Sequence, residues 1–95
     1  MAHPDAHSIT IQFPSGQKQQ STVYTFQNIG DEIPAHTHTF FHSALCIKGI
    51  CEVFNSEGKS VKLDGGCYAE FPAGKEHGLR ALTPGMILIN TNEPQ

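Results

Sequence analysis

GDEIPAHTHTFFHSALCIKG, residues 30–49, sets three imidazoles, His36, His38 and His42, within seven positions of a stretch that otherwise has the composition of a core strand. Its other members are largely apolar or β-branched, among them Ile33, Thr37, Thr39, Phe41, Ala44 and Leu45. Side chains along a strand alternate faces, so positions 36, 38 and 42 project to one side if the strand runs unbroken. Phe40 then shares that side, and Thr37, Thr39 and Phe41 take the other. A β-bulge after His38 would break this parity, which makes His36 and His38 the firmer pair. Three imidazoles on one face are costly if nothing binds them, because each is polar and protonation sets like charges together. Neutral imidazole is also the commonest metal ligand. Against this stands the ordinary role of a histidine as a surface or hydrogen-bonded residue. Two nitrogens from His36 and His38 would need a third and fourth ligand from elsewhere. His42 is one candidate. His77 is the other, placed just after a Pro-x-Gly turn in GGCYAEFPAGKEHGLRAL, residues 65–82.

Around these two stretches the chain reads as all-β. Short runs rich in β-branched and aromatic residues are expected as strands over 9–13, 21–27, 32–39, 43–48, 50–55, 59–63, 67–71, 77–82 and 86–91. They are separated by PSGQ, NIGD, KG, NSEG, LDGG, PAGKE and TPG, each containing a residue suited to positive or fixed φ. No segment carries helical periodicity over ten residues. Eight or nine short strands about ten residues apart point to a sandwich or closed barrel. The first eight residues and the final TNEPQ are expected as loose ends, with His3 and His7 as tail residues.

At 95 residues the chain is expected to be one domain, 1–95, with a core thin enough for a metal or a partner copy to matter. The formal charge is -3, and one arginine and five lysines are dispersed along the chain. That excludes the clustered positive charge nucleic acids require, and for the same reason a membrane surface is not expected. No run of about 18 apolar residues is present to span a bilayer. The opening MAHPDAHSIT lacks the basic and apolar regions of a secretion signal, so a cytoplasmic location is expected. Cys46, Cys51 and Cys67 form no C-x-x-C pair and read as small apolar residues in a reducing compartment; a Cys–His nucleophile pair is the alternative.

The spacing of the two histidine-bearing stretches resembles the cupin superfamily, small single-domain cupins in particular. The first cupin motif is glycine, five residues, His-x-His, three or four residues, glutamate, six residues, glycine. Residues 30–49 reproduce it from Gly30 through His36 and His38 to Gly49, with His42 in the glutamate's place. The second is glycine, five residues, Pro-x-Gly, two residues, histidine, three residues, asparagine. Residues 66–81 reproduce it from Gly66 through Pro72, Gly74 and His77, with Ala81 replacing the asparagine. The resemblance covers a little over half the chain. It implies a double-stranded β-helix, or jelly roll, holding one metal through the residues matching His36, His38, His42 and His77.

Four neutral imidazoles would leave the full charge of a divalent ion uncompensated. That disfavours Mg²⁺ and Ca²⁺, permits Fe, Ni, Zn, Cu or Co, and favours an anionic ligand. The resemblance implies either a metal-dependent enzyme on a small acid, of dioxygenase or isomerase/lyase type, or a non-catalytic module holding a small ligand through its metal. No catalytic residue is assigned. Tyr24, Lys48, Tyr68, Glu70 and Arg80 are candidates for acid, base or carboxylate anchoring. If His77 faces inward, Leu79 and Ala81 do too, and Arg80 turns outward. A homodimer is expected, with the N-terminal ITIQF strand adding to a partner's sheet.

Overall fold

The computed structural model describes residues 2–92, and all nine expected strands are present within them. They are β1 (Asp5–Gln12), β2 (Lys18–Phe26), β3 (Glu32–His36), β4 (His42–Lys48), β5 (Ile50–Phe54), β6 (Ser60–Asp64), β7 (Tyr68–Phe71), β8 (His77–Ala81) and β9 (Met86–Asn92). A five-stranded sheet has the order β1-β2-β9-β4-β7 and a four-stranded sheet the order β3-β8-β5-β6. Every neighbouring pair is antiparallel. Consecutive strands repeatedly cross from one sheet to the other, which is the jelly-roll arrangement.

Two of the differences from the expected boundaries have a clear physical reason. Residues 5–8, expected as a loose end, are strand. β2 is long enough to pair with all eight residues of β1, from Asp5 opposite Thr25 to Gln12 opposite Lys18. Every residue of β1 is exposed, so no apolar alternation marks its start. The tail residue His7 therefore sits in a ladder, opposite Val23. At the other end Thr91 and Asn92 belong to β9, while residues 93–95 lie outside the described residues. The second difference is larger. The expected strand over 32–39 stops at His36, and β4 begins at His42 in the opposite sheet. Residues 37–41 carry the chain across the sandwich, so His36 and His42 do not share a strand face.

The core lies between the sheets. Phe26, Cys46, Cys51, Leu79, Met86 and Leu88 are fully buried there. Burying a large apolar side chain stabilises by roughly 1.5–3 kcal/mol. Alternation along β8 turns His77, Leu79 and Ala81 inward and Arg80 outward. Arg80 is held outside by Glu52 at 2.7 Å and Glu32 at 3.0 Å, with its guanidinium 4.5 Å above the Phe54 ring. Gly49 turns the chain from β4 to β5 at φ 85°. A Cβ there would stand 2.5 Å from Thr83 Oγ1 and 3.2 Å from the Met86 backbone, so only glycine fits.

Candidate metal centre

The two sheets bring four histidines to one end of the core. His36 closes β3 and is the cross-strand partner of His77, which opens β8. His38 lies in the crossing segment. His42 opens β4 opposite Phe71 of β7 and Asn92 of β9. One nitrogen from each of His36, His38 and His77 falls within 4.8 Å of the other two. The His42 ring stands beside this trio, its centroid 4.8 Å from that of His38 and 4.7 Å from that of His77.

Backbone hydrogen bonds orient two of the rings. His36 Nδ1 lies 2.7 Å from the Pro34 carbonyl, and His77 Nδ1 lies 3.0 Å from the Lys75 carbonyl. A carbonyl only accepts, so each Nδ1 carries the proton and each Nε2 keeps its lone pair. This is the arrangement by which protein scaffolds fix a metal-binding imidazole. His77 Nε2 is buried without a partner. His36 Nε2 lies 3.0 Å from His38 Nε2, so His38 donates there. His42 is 1% exposed, and both of its ring nitrogens are buried without a partner. Buried polar atoms are nearly always satisfied, so the unpartnered rings of His77 and His42 fit a ligand that takes one nitrogen from each.

The surroundings are aromatic. The Phe71 ring stacks on His77 at 4.1 Å and lies 5.1 Å from His42, while Phe40 stacks on His38 at 4.8 Å. Burial disfavours imidazolium here. His42 is pushed down to about 4, first by desolvation and then by the charges His77, His38 and His36 would carry. Desolvation also lowers His38, with His36 adding to it, and His77, where the Lys75 carbonyl partly opposes the shift. His38, His42 and His77 are thus held toward the neutral form, the form that binds metal.

A cavity of about 390 Å³ opens beside His77. Val53, Leu63 and Phe71 give it an apolar wall, and Lys59, Glu70 and Lys75 are among its polar lining. Its size falls within the usual range of small-molecule sites. Of the candidates for acid, base or anchor, Tyr68 and Glu70 line this cavity. Tyr24 lies half-buried on the inner side of β2, where desolvation raises its hydroxyl above the ordinary value. Lys48 is exposed at the far end of β4, and Arg80 is engaged outside; neither joins the histidines. Cys46 and Cys51 are buried core residues, and burial raises both thiols, Cys51 to about 12. That suits packing and not nucleophilic attack. Phe71 and Asn90 went unrecognised. The Asn90 Oδ1 is buried without a partner, and the signal was a polar residue at the inward parity of MILINTN.

No protein-family profile and no curated protein matches this sequence. Solved structures match its fold closely. KdgF from Halomonas sp. is 22% identical, with a TM-score of 0.76 over 95% of this chain and 79% of that one. A cupin-2 domain protein from Shewanella frigidimarina is 17% identical, with a TM-score of 0.73 over 100% of this chain and 84% of that one. Oxalate decarboxylase from Bacillus subtilis is 20% identical, with a TM-score of 0.77 over 98% of this chain but only 26% of that one. The chain therefore has the cupin fold, as its two motifs implied.

Proposed function

We propose that the protein binds one divalent transition metal through His36, His38, His77 and His42 and acts as a metal-dependent enzyme on a small anionic molecule. The observation that carries this is the pair of backbone-oriented rings, His36 and His77, each with a nitrogen converging on one of His38, beside an unsatisfied His42. The donor set is all imidazole, which suits Fe, Ni, Zn, Cu or Co. Such an ion supplies Lewis-acid polarisation of a carboxylate or carbonyl, or a site for O₂. The chain's own residues do the rest. The Pro34 and Lys75 carbonyls hold the tautomers of His36 and His77. Phe71, stacked on His77 and beside His42, helps keep water from those two buried rings. Lys59 and Lys75 line the cavity together with Glu70 and Glu76, so the uncompensated charge that favours an anion would be the metal's. The similar structure of an oxalate decarboxylase fits a small carboxylate as substrate class.

A second function is favoured by one observation. Lys48 is exposed and Arg80 is engaged by Glu32 and Glu52, so neither serves the histidines, as in a module that holds a ligand without transforming it. Three unpaired cysteines fit a reducing, cytoplasmic setting for either function. The test is metal content of untagged protein, wild type against His36→Ala and His77→Ala. About one equivalent of a transition metal in the wild type, lost in both variants, supports the site. No binding after reconstitution with any of the five metals overturns it. Turnover of small carboxylates by loaded protein then separates enzyme from binding module.

A further inference from the structure

Among the described residues four buried side-chain atoms have no hydrogen-bond partner: both ring nitrogens of His42, His77 Nε2 and Asn90 Oδ1. The first three belong to the metal centre. Asn90 Oδ1 is a carboxamide oxygen, which only accepts. Asn90 lies on β9, between β2 and β4, at the inward parity it shares with the buried Met86 and Leu88. Its cross-strand partner on β4 is Ala44, and the partner of His42 is Asn92. Asn90 and His42 are thus diagonal neighbours on the inner face of one sheet, at a separation that long side chains bridge. The other neighbours leave the oxygen free. Thr22, opposite Asn90 on β2, shares a hydrogen bond with Ser8 at 2.9 Å. Tyr24 and the exposed Gln20, its diagonal neighbours on that strand, have no buried atom in need of a partner.

The requirement on His42 is complementary. A neutral imidazole carries one proton, so when one ring nitrogen gives its lone pair to a metal the other is an N–H that needs an acceptor. For His36 and His77 that acceptor is a backbone carbonyl, of Pro34 and of Lys75. His42 has no carbonyl in that role. We propose that Asn90 supplies the equivalent bond: its Oδ1 accepts the His42 N–H and fixes the tautomer in which the other ring nitrogen is left to the metal. The inference rests on the metal site proposed above. The two side chains are not bonded as they stand. Ala44, opposite Asn90 and next after His42 on the inner face of β4, presents only a methyl group; a bulkier residue there would stand between carboxamide and ring. Asn90 does not line the cavity beside His77, so it acts through His42, as a positioning residue.

The test is titration of the metal-free full chain with each of the five metals named above, against a competing chelator. Asn90→Leu keeps the volume and removes the acceptor. It should weaken binding about 10–100-fold for every metal the wild type takes up, with unchanged circular dichroism. Asn90→Asp keeps an acceptor oxygen and should retain or exceed the wild-type affinity. A packing role for Asn90 predicts the reverse order, because leucine fills the site and a buried carboxylate disturbs it. In a His42→Leu background Asn90→Leu should cost no further affinity, since the bond it removes is already gone. Equal affinity in wild type and Asn90→Leu overturns the assignment of Asn90 and leaves the metal site standing. So does an undiminished loss in the His42→Leu background. A wild type that binds none of the five metals overturns the site and this assignment together.

Discussion

Replacing His42 by leucine should make the metal-free protein more stable, and metal should shrink or reverse that gain. His42 is 1% exposed, and neither ring nitrogen has a partner. An unsatisfied buried polar group costs about 1–3 kcal/mol. Leucine has a similar volume and no polar atom, so His42→Leu removes two such penalties. Imperfect packing returns up to about 1.5 kcal/mol of that. The net expectation in chelator is a gain of about 0.5–6 kcal/mol. For a chain of this length each kcal/mol raises Tm by roughly 4–8 °C. With free metal at about a thousandfold its dissociation constant, the wild type gains about 4 kcal/mol by mass action. If loss of one imidazole weakens binding about a hundredfold, the variant's gain falls to about 1.4 kcal/mol. Loading should therefore narrow the variant's advantage by about 2.7 kcal/mol, and reverse it where the metal-free gain is smaller than that. Urea melts with and without metal read both effects. A variant that is less stable in chelator yet keeps the full metal-linked gain would falsify His42 as a ligand and make it a packing residue.

Metal-free protein should lose stability on acidification from about pH 7 to about 4. His42 titrates near 4 when folded and near 6.5 when unfolded, so between these values the unfolded chain binds more protons. Stability then rises with pH across that window, by roughly 3 kcal/mol from this residue, and His38 and His77 shift in the same sense; urea melts across the window that show no dependence would contradict the buried, neutral cluster. Gly78→Ala should destabilise by about 1–3 kcal/mol, because the new Cβ would stand 2.6 Å from Phe54 Cζ and 2.9 Å from the Ala35 nitrogen. The same crowding presses on the β3–β8 register beside His36 and His77, so calorimetric metal titration should show weaker binding as well. Of the three thiols, only exposed Cys67 should react rapidly with a chromogenic disulfide in the native state, and all three in guanidinium; rapid native reaction of a second thiol would contradict the buried positions of Cys46 and Cys51.

The strands were legible because turn chemistry punctuates this chain so regularly. NIGD, LDGG and TPG each end a strand where a glycine takes positive φ, at Gly30, Gly66 and Gly85. The inward face of β8 was legible too, since alternation from His77 requires Leu79 and Ala81 to follow it into the core. The N-terminal strand was legible only in part. Its first four residues are held by the ladder with β2 and bury no side chain, and a hydrophobic pattern reports burial, not pairing.

The histidine cluster is the instructive case, because the four residues were named on grounds that only partly hold. Parity along one unbroken strand would have put His36, His38 and His42 on a single face. The chain instead leaves β3 at His36 and enters the other sheet at His42, so the rings meet from opposite walls. Spacing in sequence anticipated the convergence, but the cause is the crossing between sheets. This difference bears on what the site can do. Ligands on one strand would move together, whereas ligands drawn from β3, β4, β8 and the 37–41 crossing tie both sheets at one point. A bound ion there would act as a staple between sheets, so its removal should loosen the sandwich as a whole and not one strand. The fine structure of the site was beyond reach for another reason. Whether His36 and His77 present Nε2 is decided by the Pro34 and Lys75 carbonyls two residues upstream, and every residue has a carbonyl. Only the local backbone path, set by the β3–β8 pairing, aims those two at a ring.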